Sequence, residues 1–186
     1  MGSIRPSPTD ALLFFAVFSR SAELLDLAKD RLTREFGPLI LVGPRVPFTD
    51  TEYYRRSMGP DLIKEWYAVD RIIDQSSLAS IKIATQSLET SIGAELPMDV
   101  SRPINIDPGM IDLGKVMLAS TKNHAHRIYV GNGIFVEVTL YLCEGSWAGW
   151  PWTYPDYRRP EVHAFFTSAR EEYRTRRPER PPGSRW

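Results

Sequence analysis

The sequence predicts an α+β fold: a ferredoxin-like β-α-β-β-α-β sandwich extended by a C-terminal β-hairpin and a final helix. Three observations carry that expectation. Residues 11–18 are a continuous apolar run followed at once by apolar residues at helical spacing, as in a central strand leading into an amphipathic helix. A strand, strand, helix, strand order follows and completes the split β-α-β plan. Gly131-Asn132-Gly133 then separates two segments of strand-like alternation, which marks a hairpin.

Each element has a local reason. Residues 1–10 are polar and proline-bearing, a lead-in expected to fray. Ser21 is placed to cap the first helix, with Glu23 in its first turn. Leu24, Leu25, Ala28, Leu32 and Phe36 form its apolar face, and Gly37-Pro38 stops it. Residues 39–42 read as a second strand. A polar, aromatic stretch over 48–59 precedes a third strand over 65–73. The second helix is expected over 76–92, with Leu78, Ile81, Thr85, Leu88 and Ile92 inward and Gly93 as its cap. Residues 104–106 read as a short fourth strand ended by a turn at Asp107-Pro108-Gly109. Residues 113–119 are expected to make one or two helical turns.

The hairpin is expected to pair 124–130 with 134–142 through a three-residue loop, Val130 opposite Ile134. That register sets Ile128 against Val136, His126 against Val138, Tyr129 against Phe135 and Arg127 against Glu137. A two-residue loop would give Arg127 an apolar neighbour, so the charge pairing favours three. Residues 145–157 form a loop rich in Trp, Gly and Pro. The last helix begins near Pro160 and turns Val162, Phe165, Phe166, Ala169 and Tyr173 inward. Helices are expected on one face of a mostly antiparallel sheet. The domain is expected to span 11–177, with 178–186 a flexible tail.

Composition narrows the function classes. The 186 residues carry 23 basic and 23 acidic side chains, so no global field selects nucleic acid or membrane. The single cysteine, Cys143, excludes an internal disulfide or a cysteine zinc cage and fits a reducing compartment, hence a cytoplasmic protein. The apolar run at 11–18 is too short to span a bilayer, and Asp10, Arg20 and Glu23 flank it unlike a signal peptide. No membrane association is expected. Arg174, Arg176, Arg177, Arg180 and Arg185 make the C-terminal end locally basic. Such an end either touches RNA or anionic lipid or, more plainly, is solvated. The oligomeric state is left open.

Neither common nucleotide-binding loop is present, nor a nucleophile elbow, and no motif names a cofactor or an enzyme class. Chemistry concentrates in Ser120-Thr121-Lys122-Asn123-His124-Ala125-His126-Arg127. On a strand, His124 and His126 point one way and either bind a metal with Asp107 or Glu137, or belong to the core. Lys122, His126 and Arg127, with the hydroxyls of Ser120 and Thr121, suit a phosphate. Asn105 and Asp107 share a face at a strand end, where Asp107 either caps a turn or serves as an acid, base or ligand. Trp147, Trp150, Trp152, Tyr154 and Tyr157 crowd one loop with Asp156, either to stack on a ligand or to cover a core.

These segments also carry a resemblance. Asn105-Ile106-Asp107-Pro108-Gly109, Ala119-Ser120-Thr121-Lys122, His126-Arg127-Ile128-Tyr129, the stretch from Gly133 to Leu140 and the stretch from Trp152 to Arg158 resemble the prokaryotic family catalogued as domain of unknown function 4416. Thr51-Glu52-Tyr53-Tyr54, Met58-Gly59, Ile81-Lys82, Thr85 and Glu89 are similar too. The resemblance covers the chain from Ala11 to about Tyr173. It implies no established activity. Some members are labelled GTP-binding proteins, which the missing phosphate loop argues against here. It implies a shared site among Lys82, Asn105, Asp107, Lys122, His126, Arg127, Glu137, Thr139, Tyr154 and Asp156. Gln86 departs from the pattern, and His124 is not part of it.

The leading expectation is a protein that binds, and in one version transforms, a small phosphate- or carboxylate-bearing ligand. Lys122 and Arg127 would hold the anion, assisted by Asn105, Thr121, Lys82, Tyr154 and Asp156. His126 would be the acid–base group, oriented by Asp107 or Glu137. The alternatives are a non-enzymatic interaction module for protein or RNA, and a metal-dependent hydrolase on His124, His126 and Asp107. A concave pocket lined by these residues favours the first, and a flat exposed aromatic face the second.

Overall fold

A strand without polar alternation must be buried on both faces, and the first strand is. The computed structural model describes residues 9–96 and 98–177. Its strands are β1 (Asp10–Ser19), β2 (Leu39–Val42), β3 (Val46–Pro47), β4 (Ile63–Asp74), β5 (Ile104–Ile111), β6 (Lys115–Ser120), β7 (Ile128–Gly131), β8 (Ile134–Cys143) and β9 (Ser146–Gly149). Its α-helices are α1 (Ala22–Phe36), α2 (Arg55–Met58), α3 (Leu78–Glu95) and α4 (Pro160–Arg176). The fold is mixed α+β, with one nine-stranded sheet in the order β2-β4-β1-β5-β6-β8-β7; β3 pairs with β4 and β9 with β8. Every pairing is antiparallel.

β1 divides two cores. Ala11, Leu13, Phe15 and Val17 pack with α1 and α3, and Leu12, Phe14 and Ala16 pack with α4. Each fully buried Leu or Phe here contributes about 1.5–3 kcal/mol relative to exposure. Helices therefore cover both faces of the sheet, not the one expected, because β1 presents apolar side chains both ways. The apolar faces of α1 and α4 hold as expected, and the Ser21 hydroxyl accepts from the Leu24 N–H. A third, smaller cluster joins Phe18, Phe48, Met58 and Leu62 at the end of β1.

Several local expectations are corrected. Residues 113–119 are not helical: β6 occupies Lys115–Ser120, turned back on β5 by the Asp112 carboxylate, which accepts from the N–H groups of Gly114 and Lys115. Asp107-Pro108-Gly109 is not a turn, and β5 runs through it. Pro108 is tolerated because β6 joins β5 only from Gly109 onward. Gly109 is required by close approach, since a Cβ there would overlap the Phe14 ring and sit 2.6 Å from the Met117 carbonyl oxygen. α3 passes Gly93 and ends at Glu95.

The hairpin turns on two residues. Asn132 (φ 54°) and Gly133 (φ 75°) form the turn, and Gly131 (φ 102°) adds a bulge, so Gly131 and not Val130 faces Ile134. The bulge returns Ile128 to Val136 and Tyr129 to Phe135, as expected. Residues 124–127 make a turn instead of continuing the strand, closed by the Arg127 N–H to the His124 carbonyl at 3.0 Å. Short elements fill stretches expected as loops: β3 and α2 before β4, and β9 after β8.

Thr9 and Asp10 belong to the fold. The Thr9 carbonyl accepts from the Gln75 N–H, and Asp10 opens β1. The remainder of the expected tails, 1–8 and 178–186, lies outside the described residues, as do Arg180 and Arg185. Arg174 and Arg176 end α4. No helix among the described residues is long and apolar enough to cross a membrane.

Candidate functional site

The sheet register builds the floor of a cleft. Phe18 is paired with Lys64 on one side and Asn105 on the other, and Leu118 with Glu137. By strand alternation these side chains share the face on which α4 packs. The loop before β4 supplies one wall, with Phe48, Tyr53 and Tyr54. The segment before α4 supplies another, with Tyr154, Asp156 and Tyr157. The cleft encloses about 340 Å³, within the range of small-molecule sites.

Lys82 enters from α3 where β5 has no β6 neighbour. Its Nζ donates to the Ile106 carbonyl at 2.9 Å and to Asp107 Oδ1 at 2.8 Å. Asn105 Nδ2 donates to Asp107 Oδ2 at 2.7 Å. Burial opposes the Asp107 charge, but Lys82 and these hydrogen bonds outweigh it and hold the carboxyl below its usual range. Glu89, on the same helix, takes the Ile106 N–H at 2.7 Å and Arg102 Nη2 at 2.9 Å. Burial nevertheless pushes the Glu89 carboxyl up.

Arg127 is the hub of the opposite side. Its Nε donates to Glu137 Oε2 at 2.8 Å, its Nη1 to Ser120 Oγ at 2.8 Å and the Lys122 carbonyl at 3.0 Å, and its Nη2 to the Tyr154 hydroxyl at 2.6 Å. The Arg127 and Glu137 side chains are 3% and 1% exposed, so the pair is desolvated and held by several bonds. Thr139 Oγ1 donates to Glu137 Oε1 at 3.1 Å. Burial, then the Glu137 charge, raises the Tyr154 hydroxyl, against the pull of Arg127.

His126 stands apart. Its Nε2 lies 3.1 Å from Glu137 Oε2, but its ring borders a neighbouring apolar groove with Trp152 and not this cleft. The ring stacks between His124 (5.8 Å between centroids) and Trp152 (5.2 Å). The two histidines thus lie ring on ring. Among the described residues no group of three His, Cys, Asp or Glu is placed to hold a metal ion.

The remaining expected residues border the cleft itself. Thr121 is on its exposed rim, and the Lys122 ammonium sits 3.6 Å from the centre of the Tyr53 ring. That ammonium holds the Tyr53 hydroxyl below its usual range. Lys82, Asn105, Asp107, Lys122, Arg127, Glu137, Tyr154 and Asp156 therefore meet in one place with Thr121.

The buried end contains a residue that the sequence reading missed. Lys64 Nζ donates to Asp156 Oδ2 at 2.6 Å and lies 4.8 Å from the Phe48 and Tyr157 ring centres. The signal was available, because Lys64 alternates with Trp66 and Ala68 and so had to share their buried face. Arg102 and the Phe18 and Phe48 rings were also missed, since only tertiary packing brings them here.

The model of the family described as Domain of unknown function (DUF4416) matches residues 9–173. The chain belongs to this family. No curated protein and no solved structure matches the chain. The DUF4416 match spans every segment that borders the cleft, from Phe18 to Tyr157.

Proposed function

We propose that the cleft binds a small molecule bearing a phosphate or carboxylate, and that Lys122 receives the anion. One observation carries this. Lys64, Lys82, Arg102 and Arg127 each meet a carboxylate, at 2.6, 2.8, 2.9 and 2.8 Å. Lys122 meets none among the described residues, and its ammonium is held against Tyr53. Four neutralised pairs fix donors in place, and Lys122 leaves a positive excess where an anion would enter. The aromatic walls would take the rest of the ligand. Asp107 is the carboxylate best placed for a proton transfer, being ionised and at the cleft surface, whereas His126 would act only through Glu137.

The test is calorimetric titration with phenyl phosphate and benzoate. Lys122→Ala is expected to weaken binding by about tenfold or more, the size of one charge-assisted hydrogen bond, without loss of fold. Equal affinity in the variant, or no wild-type binding at millimolar probe, refutes the proposal.

A second reading, an interaction module, is favoured by β7. This strand ends the sheet order, and its Ile128, Tyr129 and Val130 are 73%, 59% and 46% exposed. Such an edge can accept a strand from a protein partner. Light scattering on the wild type and Ile128→Lys would reveal self-association through it.

We further read the β2-β4-β1-β5 half, with α1 and α3 as its crossovers, as the ferredoxin-like sandwich, extended by β6 to β9. The order of these four strands and their antiparallel pairing support this. One continuous sheet supports a single domain over 11–177. The lone cysteine supports a cytoplasmic location.

A further inference from the structure

Asp156 is the most enclosed carboxylate of the cleft, fully buried on the 3₁₀ turn Pro155–Arg158. Among the described residues only one of its oxygens has a partner. Oδ2 accepts from Lys64, while Oδ1, equally buried, meets no donor among the described residues. Buried carboxylate oxygens are rarely left so, because the lost hydration must be replaced. Asp156 borders the cleft together with Lys122, which stands at its more exposed side.

We infer that Asp156 Oδ1 accepts a hydrogen bond from a neutral O–H or N–H of the ligand, at the end opposite its anionic group. This rests on the anion-binding proposal and adds the ligand's chemical class: a flat ring with a phosphate or carboxylate at one end and a neutral donor at the other. The ring follows from the walls. A run of ring contacts connects the two residues: Lys122 Nζ lies 5.4 Å from the centre of the Tyr54 ring, Tyr54 packs on Phe18 (4.8 Å) and Phe48 (6.1 Å), and Lys64, the partner of Asp156, lies 4.8 Å from the Phe48 and Tyr157 ring centres. The donor is neutral because the Asp156 charge is already matched by Lys64. A second ammonium would be set beside Lys64 in a cleft where cations already exceed carboxylates.

Three probes decide the matter: phenyl phosphate, 3-hydroxyphenyl phosphate and 4-hydroxyphenyl phosphate, titrated into the wild type and Asp156→Asn. A site that hydrogen-bonds a hydroxyl discriminates strongly against the analogue lacking it. One hydroxyphenyl phosphate is therefore expected to bind the wild type at least about tenfold tighter than phenyl phosphate. In Asp156→Asn, Lys64 can only donate, so it keeps the amide oxygen and turns the NH₂ to where Oδ1 stood. The acceptor becomes a donor, and the hydroxyl advantage, read as the ratio of hydroxyphenyl to phenyl phosphate affinity within the variant, should vanish whatever the unpaired Lys64 charge does to the affinity for phosphate itself.

If all three probes bind the wild type within about twofold of one another, this inference fails and the anion proposal stands. A hydroxyl advantage that survives intact in Asp156→Asn also overturns it, placing the donor elsewhere. If no probe binds at millimolar concentration, both proposals fall. The wild-type ratio needs no variant, so poor folding of Asp156→Asn would not spoil the test.

Discussion

Lys82 and Glu89, two turns apart on α3, bracket the backbone of one residue: Lys82 Nζ donates to the Ile106 carbonyl and Glu89 Oε1 accepts the Ile106 N–H. β5 has β1 on one side there, but β6 joins the other side only from Gly109 onward. Two side chains thus stand in for a missing strand, as buried backbone groups require. The substitution keeps a gap in the sheet open at the cleft floor. It also places Lys82 against Asp107, so a structural repair and a site residue are the same side chain.

Lys82→Met tests this. The variant keeps the length of the side chain but leaves the Ile106 carbonyl and Asp107 Oδ1 without their Lys82 donor, while Glu89 keeps Arg102 and the Ile106 N–H. Breaking a buried pair from one side costs about 3–5 kcal/mol, and the partial exposure of Asp107 (27%) argues for the lower end. Urea denaturation should show a loss of about 3 kcal/mol with an unchanged slope. A loss under about 1 kcal/mol would mean that water replaces Lys82 without cost.

The same pair sets a pH response. The folded Asp107 carboxyl lies below its ordinary value of 3.8. Its contribution is therefore fully present above that value and is lost as pH falls through the lower, folded one. Acid titration of stability should show less loss below about pH 4 in Asp107→Asn than in the wild type, although the variant is the less stable at neutral pH. Parallel curves would refute the assignment.

How much of this was legible depended on whether the signal was local. The buried faces of α1 and α4 were readable because helical spacing and capping act within a few residues, and Ser21 does cap α1. The Arg127–Glu137 ion pair was expected and is present, but not as the cross-strand pair the register predicted: Arg127 sits on the 124–127 turn and reaches Glu137 from there. β6 was not readable as a strand, because its apolar run is short and serves helix or strand alike. Gly109 read as a turn glycine because the Phe14 ring that needs its missing Cβ lies 95 residues away in sequence, from 14 to 109. For the site, the chemistry-bearing segment was visible, but the His126 placement was not. Its turn carries the ring to the Trp152 side of Glu137.

Gly109→Ala follows from that close approach. The added methyl would meet both the Phe14 ring and the Met117 carbonyl, one of them backbone that cannot swing aside. Overpacking of this kind costs about 1–3 kcal/mol. Thermal melting should fall by several degrees. A melting point equal to the wild type would show that β5 and β6 separate easily at this row.

Arg127→Lys separates charge from geometry at the proposed anion site. Arg127 uses its fork on four acceptors: Glu137, Ser120, the Lys122 carbonyl and Tyr154. A lysine keeps the charge and the ion pair with Glu137 but gathers its donors at one point and cannot span the set. The bond to the Lys122 carbonyl, which fixes the backbone of the proposed anion receptor, is the one most exposed to loss. Stability should drop by about 1–2 kcal/mol, with two half-buried acceptors, Ser120 Oγ and the Lys122 carbonyl, left bare. Phenyl phosphate affinity should fall although the net charge is unchanged. Tyr154→Phe is the control: it removes one acceptor at the rim, so it should cost about 1 kcal/mol or less and leave the Lys122 backbone bond in place. If Arg127→Lys weakens the probe no more than Tyr154→Phe does, charge alone is sufficient at position 127, and the fork has no part in holding Lys122.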